Sequence, residues 1–283
     1  MKTTRFFLFL LLPLFSFSQN KLSYQIFDKN GHSTSYKKII KNALKSDIVL
    51  FGEYHDNSVA HWLELELAKD LFEKKTLVLG AEMLEADNQN QLNRYLKGEI
   101  NQKQLDSTAR LWPNYKTDYK PFVDFAKDKN IPFIATNIPR RFASLVFKQD
   151  FIALEKLSEL EKSWIAPLPI AYDPTLSGYA EMLNMDSEHA NDKMPKAQAI
   201  KDATMAYFIL KNRTENSLFL HYNGSYHSNN FQGIYWYLKH DNPALKIVTI
   251  ATVSQKDITK LEKEYLLTAD FIIVIDEDVI KTY

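Results

Sequence analysis

Four short apolar runs in this chain each end in side chains able to do chemistry. Asp47-Ile48-Val49-Leu50-Phe51 leads into Gly52-Glu53-Tyr54-His55-Asp56, and Thr76-Leu77-Val78-Leu79-Gly80 leads into Ala81-Glu82. Ile131-Pro132-Phe133-Ile134-Ala135 leads into Thr136-Asn137-Ile138-Pro139-Arg140, and Ser217-Leu218-Phe219-Leu220-His221-Tyr222 leads into Asn223-Gly224-Ser225-Tyr226-His227. Glu53, His55, Glu82 and His227 together make a sufficient ligand set for a divalent transition metal such as zinc, manganese or iron. A metal held there would lower the pKa of bound water to about 7 and turn it into a nucleophile. Without a metal, a carboxylate and an imidazole can still serve as base and acid.

Runs of this kind suit the buried strands of a parallel sheet, and open α/β sheets bind ligands just beyond the carboxyl ends of their strands. Four strand ends delivering Glu, His, Asn and Arg to one edge predict one site. Glu53 and His55, two residues apart, would face the same side of a continuing strand. His61 lies about one turn into the next helix, from where it either hydrogen-bonds the site or simply packs. Asn57 or Ser58 is placed to cap that helix, predicted over Val59–Glu73. Arg140 follows Pro139 at a helix start and suits bidentate binding of a carboxylate or propionate, with a surface ion pair as the alternative. Asp202 either orients Arg140 or a histidine, or is solvated. Tyrosine is abundant at 15 residues. Most must pack, but Tyr119 beside Trp112 and Tyr226 in the last motif are candidates for an axial ligand to haem iron.

Strand and helix alternate through most of the chain and indicate βαβ units. The expected fold is α/β, with a largely parallel central sheet flanked by helices. The rhythm breaks between about residues 140 and 200, where Pro167, Pro169, Pro174 and Pro195 interrupt helical stretches. This reads as a helical insertion near the carboxyl edge of the strands. Met182, Met185 and Met194, with Tyr172 and Tyr179, would give it an adaptable apolar surface or ordinary packing.

The chain has 283 residues, 45% hydrophobic and 25% charged, enough for one large domain. Lys2 and Arg5 precede the apolar run Phe6–Phe17, and Ser16-Phe17-Ser18 is a small-x-small cleavage site. Residues 1–18 are therefore expected to be a secretory signal peptide, with the folded domain spanning 19–283. Its removal leaves 33 basic against 35 acidic residues, a net charge of −2. That balance gives no electrostatic case for nucleic acid, and no later segment is apolar enough to span a bilayer. Cysteine is absent, which excludes disulfides, thiolate metal sites and lipid anchoring through cysteine. The mature protein is expected to be soluble, either secreted or periplasmic.

These motifs resemble the ChaN-like haem-binding lipoproteins. The resemblance rests on Ile48–Asn57 with His61, on Glu82-Met83-Leu84, on Asn137-Ile138-Pro139-Arg140, on Gln198–Ala206, and on Gly224-Ser225-Tyr226-His227. It extends from about residue 45 to 255 and implies an exported protein that binds haem during iron uptake, in a homodimer stacking two haems. The wider group includes Tiki proteases, TraB-like proteins and erythromycin esterases. For that group the resemblance implies hydrolysis at Glu53, His55, Glu82 and His227. Tyr119, in Tyr119-Lys120-Pro121-Phe122, is the first candidate for the iron ligand. Two functions are thus expected in competition: haem binding for iron acquisition, and a metal-dependent hydrolase.

Overall fold

The apolar runs pair into one seven-stranded sheet. The computed structural model describes residues 21–185 and 192–283, so the predicted signal segment lies outside the described residues. The strands are β1 (Tyr24–Asp28), β2 (Ile48–Glu53), β3 (Leu77–Glu85), β4 (Phe133–Asn137), β5 (Leu218–Gly224), β6 (Ile247–Gln255) and β7 (Phe271–Asp276). Their order across the sheet is β1-β7-β6-β2-β5-β3-β4, and all neighbours are parallel except β1 and β7. The helices are α1 (Tyr36–Ala43), α2 (Ser58–Phe72), α3 (Gln89–Leu96), α4 (Gln102–Thr108), α5 (Lys120–Lys129), α6 (Arg140–Gln149), α7 (Glu159–Lys162), α8 (Ser177–Met185), α9 (Lys193–Asn212) and α10 (Ile234–Asp241).

Alternation along the strands divides the core between two faces. Val49 and Phe51 pack with Leu63 and Leu67 of α2 and Phe122 of α5. Ile48 and Leu50 pack with Met205 and Ile209 of α9 and Leu238 of α10. The central strands are therefore covered on both sides, which is why they read as continuous apolar runs. Asn57 caps α2, its Oδ1 accepting from the amides of Val59 and Ala60. A separate cluster, with Phe142 and Val146 of α6, Leu154, Ile165 and Ile200 of α9, forms the core of the helical segment after β4.

Three boundaries differ from the sequence expectation for local reasons. The β4 strand begins at Phe133, after Pro132, which has no amide hydrogen to give a ladder. The helix expected over residues 230–239 begins instead at Ile234, because Asn230, Phe231 and Gly233 have positive φ. The β3 strand continues past Ala81 to Glu85, but its ladder with β5 ends at Ala81 and its register with β4 shifts between Ala81 and Glu85. Glu82 is the first residue past the regular pairing, free to turn toward β5.

Two glycines let the strand ends meet. Gly52 pairs with Asn223, and Glu53 pairs with Gly224, across the β2–β5 ladder. A Cβ on Gly52 would lie 2.9 Å from Ser225 Cα and 3.0 Å from the Ile250 carbonyl oxygen. Both neighbours are backbone and cannot step aside. Gly52→Ala is expected to cost about 1–3 kcal/mol by overpacking, read from the midpoint of guanidinium unfolding. An unchanged midpoint would show that the strand ends can separate freely.

Candidate functional site

The parallel strands β2, β5 and β3 are neighbours, so their carboxyl ends deliver Glu53, Gly224 and Glu82 side by side. Two buried carboxylates organise what surrounds them.

Glu53 is the first centre, fully enclosed at the end of β2. The chain turns immediately after it and brings His55 back, so that His55 Nδ1 lies 2.7 Å from Glu53 Oε1. A carboxylate can only accept, so Nδ1 carries the proton and Nε2 holds a lone pair. The Tyr119 hydroxyl donates to the same Oε1 at 2.7 Å, and His61 Nε2 reaches within 3.1 Å of Oε2 from α2. Burial opposes ionisation of Glu53, but the hydrogen bond from His55 and the close approach of the His61 imidazole outweigh it and hold the carboxyl well below the usual range. Burial also works against a charged His55, yet Glu53 and Glu82 raise its pKa. Behind this centre, Asn114 Nδ2 donates to the His55 carbonyl and to Asp118.

Glu82 is the second centre. The Gly224 amide donates to its Oε2 at 2.8 Å, and His227 Nε2 lies 3.0 Å from its Oε1. The opposite nitrogen of His227 bonds Asp202 of α9, whose other oxygen accepts from Tyr179 of α8 at 2.7 Å. Gln198, one turn before Asp202 on α9, lays its amide against the same imidazole. Burial disfavours charge on His227, but the carboxylates on either side prevail and push its pKa up to about 10. Glu82 is held down to about 2 against its burial, chiefly by His227. Asp202 is raised, because burial exceeds the help from His227. His227 is thus a buried imidazolium with both nitrogens committed.

His55 stands between these centres at the mouth. Its side chain is 30% exposed, and its ring meets Trp112 edge-on at 4.8 Å between centroids. A Cβ on Gly224 would sit 2.8 Å from His55 Nε2, so only glycine leaves the ring its place. Beside it opens a cleft of about 260 Å³ lined by Glu82, Trp112, Ile138, Arg140 and Lys201. Arg140 is exposed there and makes no ion pair among the described residues.

The structure brings Glu53, His55, His61 and Tyr119 together, and it brings Glu82 together with His227. The six do not form one compact ligand set. Among the described residues, the set whose ligand atoms converge within 4.8 Å is Glu53, His61 and Glu64. Tyr119 is interior, its hydroxyl committed to Glu53 and its pKa raised by burial and then by that carboxylate. In this structure its hydroxyl faces Glu53 rather than the open mouth. Tyr226 is exposed and donates to the Gly178 carbonyl at 2.6 Å. Of the alternatives for Asp202, the structure selects orientation of a histidine. Met182 and Tyr179 are buried, whereas Met194 is exposed.

Sequence reasoning passed over Glu64, Asp118 and Asn114. Glu64 carried a readable signal, since His61 and Glu64 are three apart and share a helix face. His221 is also interior. Its Nδ1 bonds Asn223 Oδ1 at 3.1 Å and its Nε2 pairs with the Thr136 hydroxyl at 2.7 Å. Burial lowers its pKa to about 4, which keeps it neutral.

The charged Glu82–His227 pair makes stability depend on pH. The share due to His227, raised from 6.5 to about 10, is complete below pH 6.5 and disappears as pH climbs through about 10. The share due to Glu82, lowered from 4.5 to about 2, is complete above pH 4.5 and disappears as pH falls through about 2. The melting-temperature gap between wild type and His227→Gln should therefore be widest between pH 4.5 and 6.5 and close toward pH 10. A gap that stays constant to pH 10 would mean that His227 is not held as a cation.

The family described as haem-binding uptake, Tiki superfamily, ChaN matches residues 39–238. Among solved structures, one described as cofacial haem binding to ChaN of Campylobacter jejuni superposes with a TM-score of 0.68 and 20% identity, over 90% of this chain and 98% of that one. A Bacillus cereus protein superposes with a TM-score of 0.51 and 12% identity, over 90% and 95% of the two chains. At these identities the likenesses speak for the fold. No curated protein sequence matches the chain. The family match spans most of the sequence and includes Glu53, His55, Glu82, Arg140 and His227: this chain belongs to the ChaN-like haem-binding uptake family of the Tiki superfamily.

Proposed function

We propose that this chain binds haem across the mouth beside His55, as an exported protein of haem and iron acquisition. The observation that carries this reading is the state of His55. Its Nδ1 is fixed by Glu53, its Nε2 has no hydrogen-bond partner among the described residues, and the ring is partly open to solvent. A carboxylate behind an imidazole orients the ring and makes it a better metal ligand. Trp112 supplies an aromatic flank. Arg140 and Lys201, which line the adjoining cleft, are cations suited to propionates.

These residues fit haem with His55, rather than the enclosed Tyr119, as the nearest candidate ligand. The cleft of about 260 Å³ falls below the roughly 300–1,000 Å³ of pockets that enclose drug-sized ligands. Haem would therefore lie over the mouth and need a cover from outside. Cofacial haem binding is described for the Campylobacter jejuni relative. A shallow mouth suits that mode, with a second copy of this chain as the cover. Bound haem would supply iron chemistry, while the chain ligates, neutralises the propionates and shields one face. Export is supported by Lys2, Arg5 and the apolar run Phe6–Phe17. No helix among the described residues is long and apolar enough to cross a membrane. The hydrolytic alternative lacks comparable support, because both nitrogens of His227 are already committed to carboxylates.

Haemin titration of the chain from Gln19 onward tests the reading. A saturable Soret band with a larger species on gel filtration is expected. His55→Ala should weaken binding about tenfold or more and alter the band, and Arg140→Ala should weaken it less. Absence of a saturable band would refute haem binding, and an unaltered band in His55→Ala would refute His55 as ligand.

A further inference from the structure

Beneath His55, on the inner side of Glu53, lies a second group of side chains whose needs no protein atom meets. Glu53, His61 and Glu64 each aim a ligand atom into one space, and these atoms lie within 4.8 Å of one another. All three side chains are more than nine-tenths buried. Glu53 Oε2, both ring nitrogens of His61 and both carboxylate oxygens of Glu64 are sealed from solvent without a hydrogen-bond partner. The 3.1 Å approach of His61 Nε2 to Glu53 Oε2 is close but misaligned for a hydrogen bond. Native interiors leave few such atoms, and five on three neighbouring residues call for an occupant.

The chemistry of the five narrows what that occupant is. Asp118 Oδ1 stands 3.7 Å from His61 Nδ1, too far for a hydrogen bond but close enough for its charge to favour a proton on that nitrogen and a lone pair on Nε2. His61 Nε2 and Glu53 Oε2 then present lone pairs to each other, which repel unless something positive lies between them. A proton shared between Glu64 and Glu53 would satisfy one oxygen of each and leave His61 unmet. A cation would satisfy all three residues at once. Two ligand atoms bound about 2.1 Å from one ion sit about 3.0–3.4 Å apart in octahedral or tetrahedral geometry, in accord with the observed 3.1 Å. One imidazole and two carboxylates suit a first-row divalent ion, and two carboxylates balance its charge in a dry interior.

We propose that Glu53, His61 and Glu64 form a buried binding site for one divalent transition-metal ion. The site is separate from the haem mouth and does not depend on haem binding. Glu53 is the link between them, since its Oε1 holds His55 and Tyr119 while its Oε2 faces the ion.

The test uses the whole chain, stripped with chelator and titrated with Zn²⁺, with Co²⁺ as the spectroscopic probe. One equivalent of zinc should survive gel filtration and raise the melting temperature, and cobalt should give visible d–d absorption typical of nitrogen and oxygen ligands. Glu64→Gln should lose the retained ion and the melting shift, and a substitution at the exposed surface, Lys260→Ala, should keep both. If Glu64→Gln fails to fold, Glu64→Leu, apolar on a helix face already packed on the core, takes its place with the same expected loss. Wild type that retains no ion overturns the proposal. So does an ion that persists in the Glu64 variant and disappears in His55→Ala, because it would then sit at the mouth. Soret titration of the same proteins scores the haem reading separately.

Discussion

One carboxylate, Glu53, is shut inside the protein at the end of β2, and much of the site follows from how its charge is met. Water cannot solvate it, so groups from several elements converge on it: His55 from the turn, Tyr119 from the start of α5, and His61 from α2. An isolated buried charge is costly and each polar partner reduces that cost. Glu53 therefore acts as an assembly point. It fixes the tautomer of His55 and accepts the hydroxyl proton of Tyr119.

Glu82 plays the same part on the far side of Gly224, with a different result. Its partner His227 is clamped a second time by Asp202, so the charged form of the imidazole is favoured in the interior. His55 has one carboxylate partner and a free nitrogen. Two histidines in similar G-x-x-H contexts thus end in different settings, one enclosed between two carboxylates, the other partly exposed beside one. The glycines of these motifs are also reciprocal. Gly52 makes room for Ser225, and Gly224 makes room for His55. Each motif clears the space that the other occupies.

Much of this was legible in the sequence. The apolar runs are strands because burial on both faces demands continuous apolar side chains, and Asn57 announces α2 because its side chain meets two free amides. Glu53, His55, Glu82 and His227 all lie at the carboxyl edge as their positions after the runs indicate. Less legible were groups that arrive from helices. Glu64 looks like one of several polar residues along α2, and Asp118 and Asn114 look like loop residues. Tyr119 was visible as an aromatic near the site, but a sequence cannot show whether a hydroxyl faces a ligand or a buried carboxylate.

The sequence by itself determined which residues reach the strand ends, because strand periodicity and chain direction are local properties. It also determined that no thiolate chemistry is available, since cysteine is absent. Only the tertiary structure decided how those residues divide. Strand β5 inserts between β2 and β3, a long-range pairing that separates Glu53 from Glu82 and puts Gly224 between them. The α9 helix brings Asp202 to His227, and α2 brings His61 and Glu64 to Glu53. Protonation, exposure and ligand capacity depend on these through-space neighbours and on the loss of water around them. They are properties of the packed molecule rather than of any one segment.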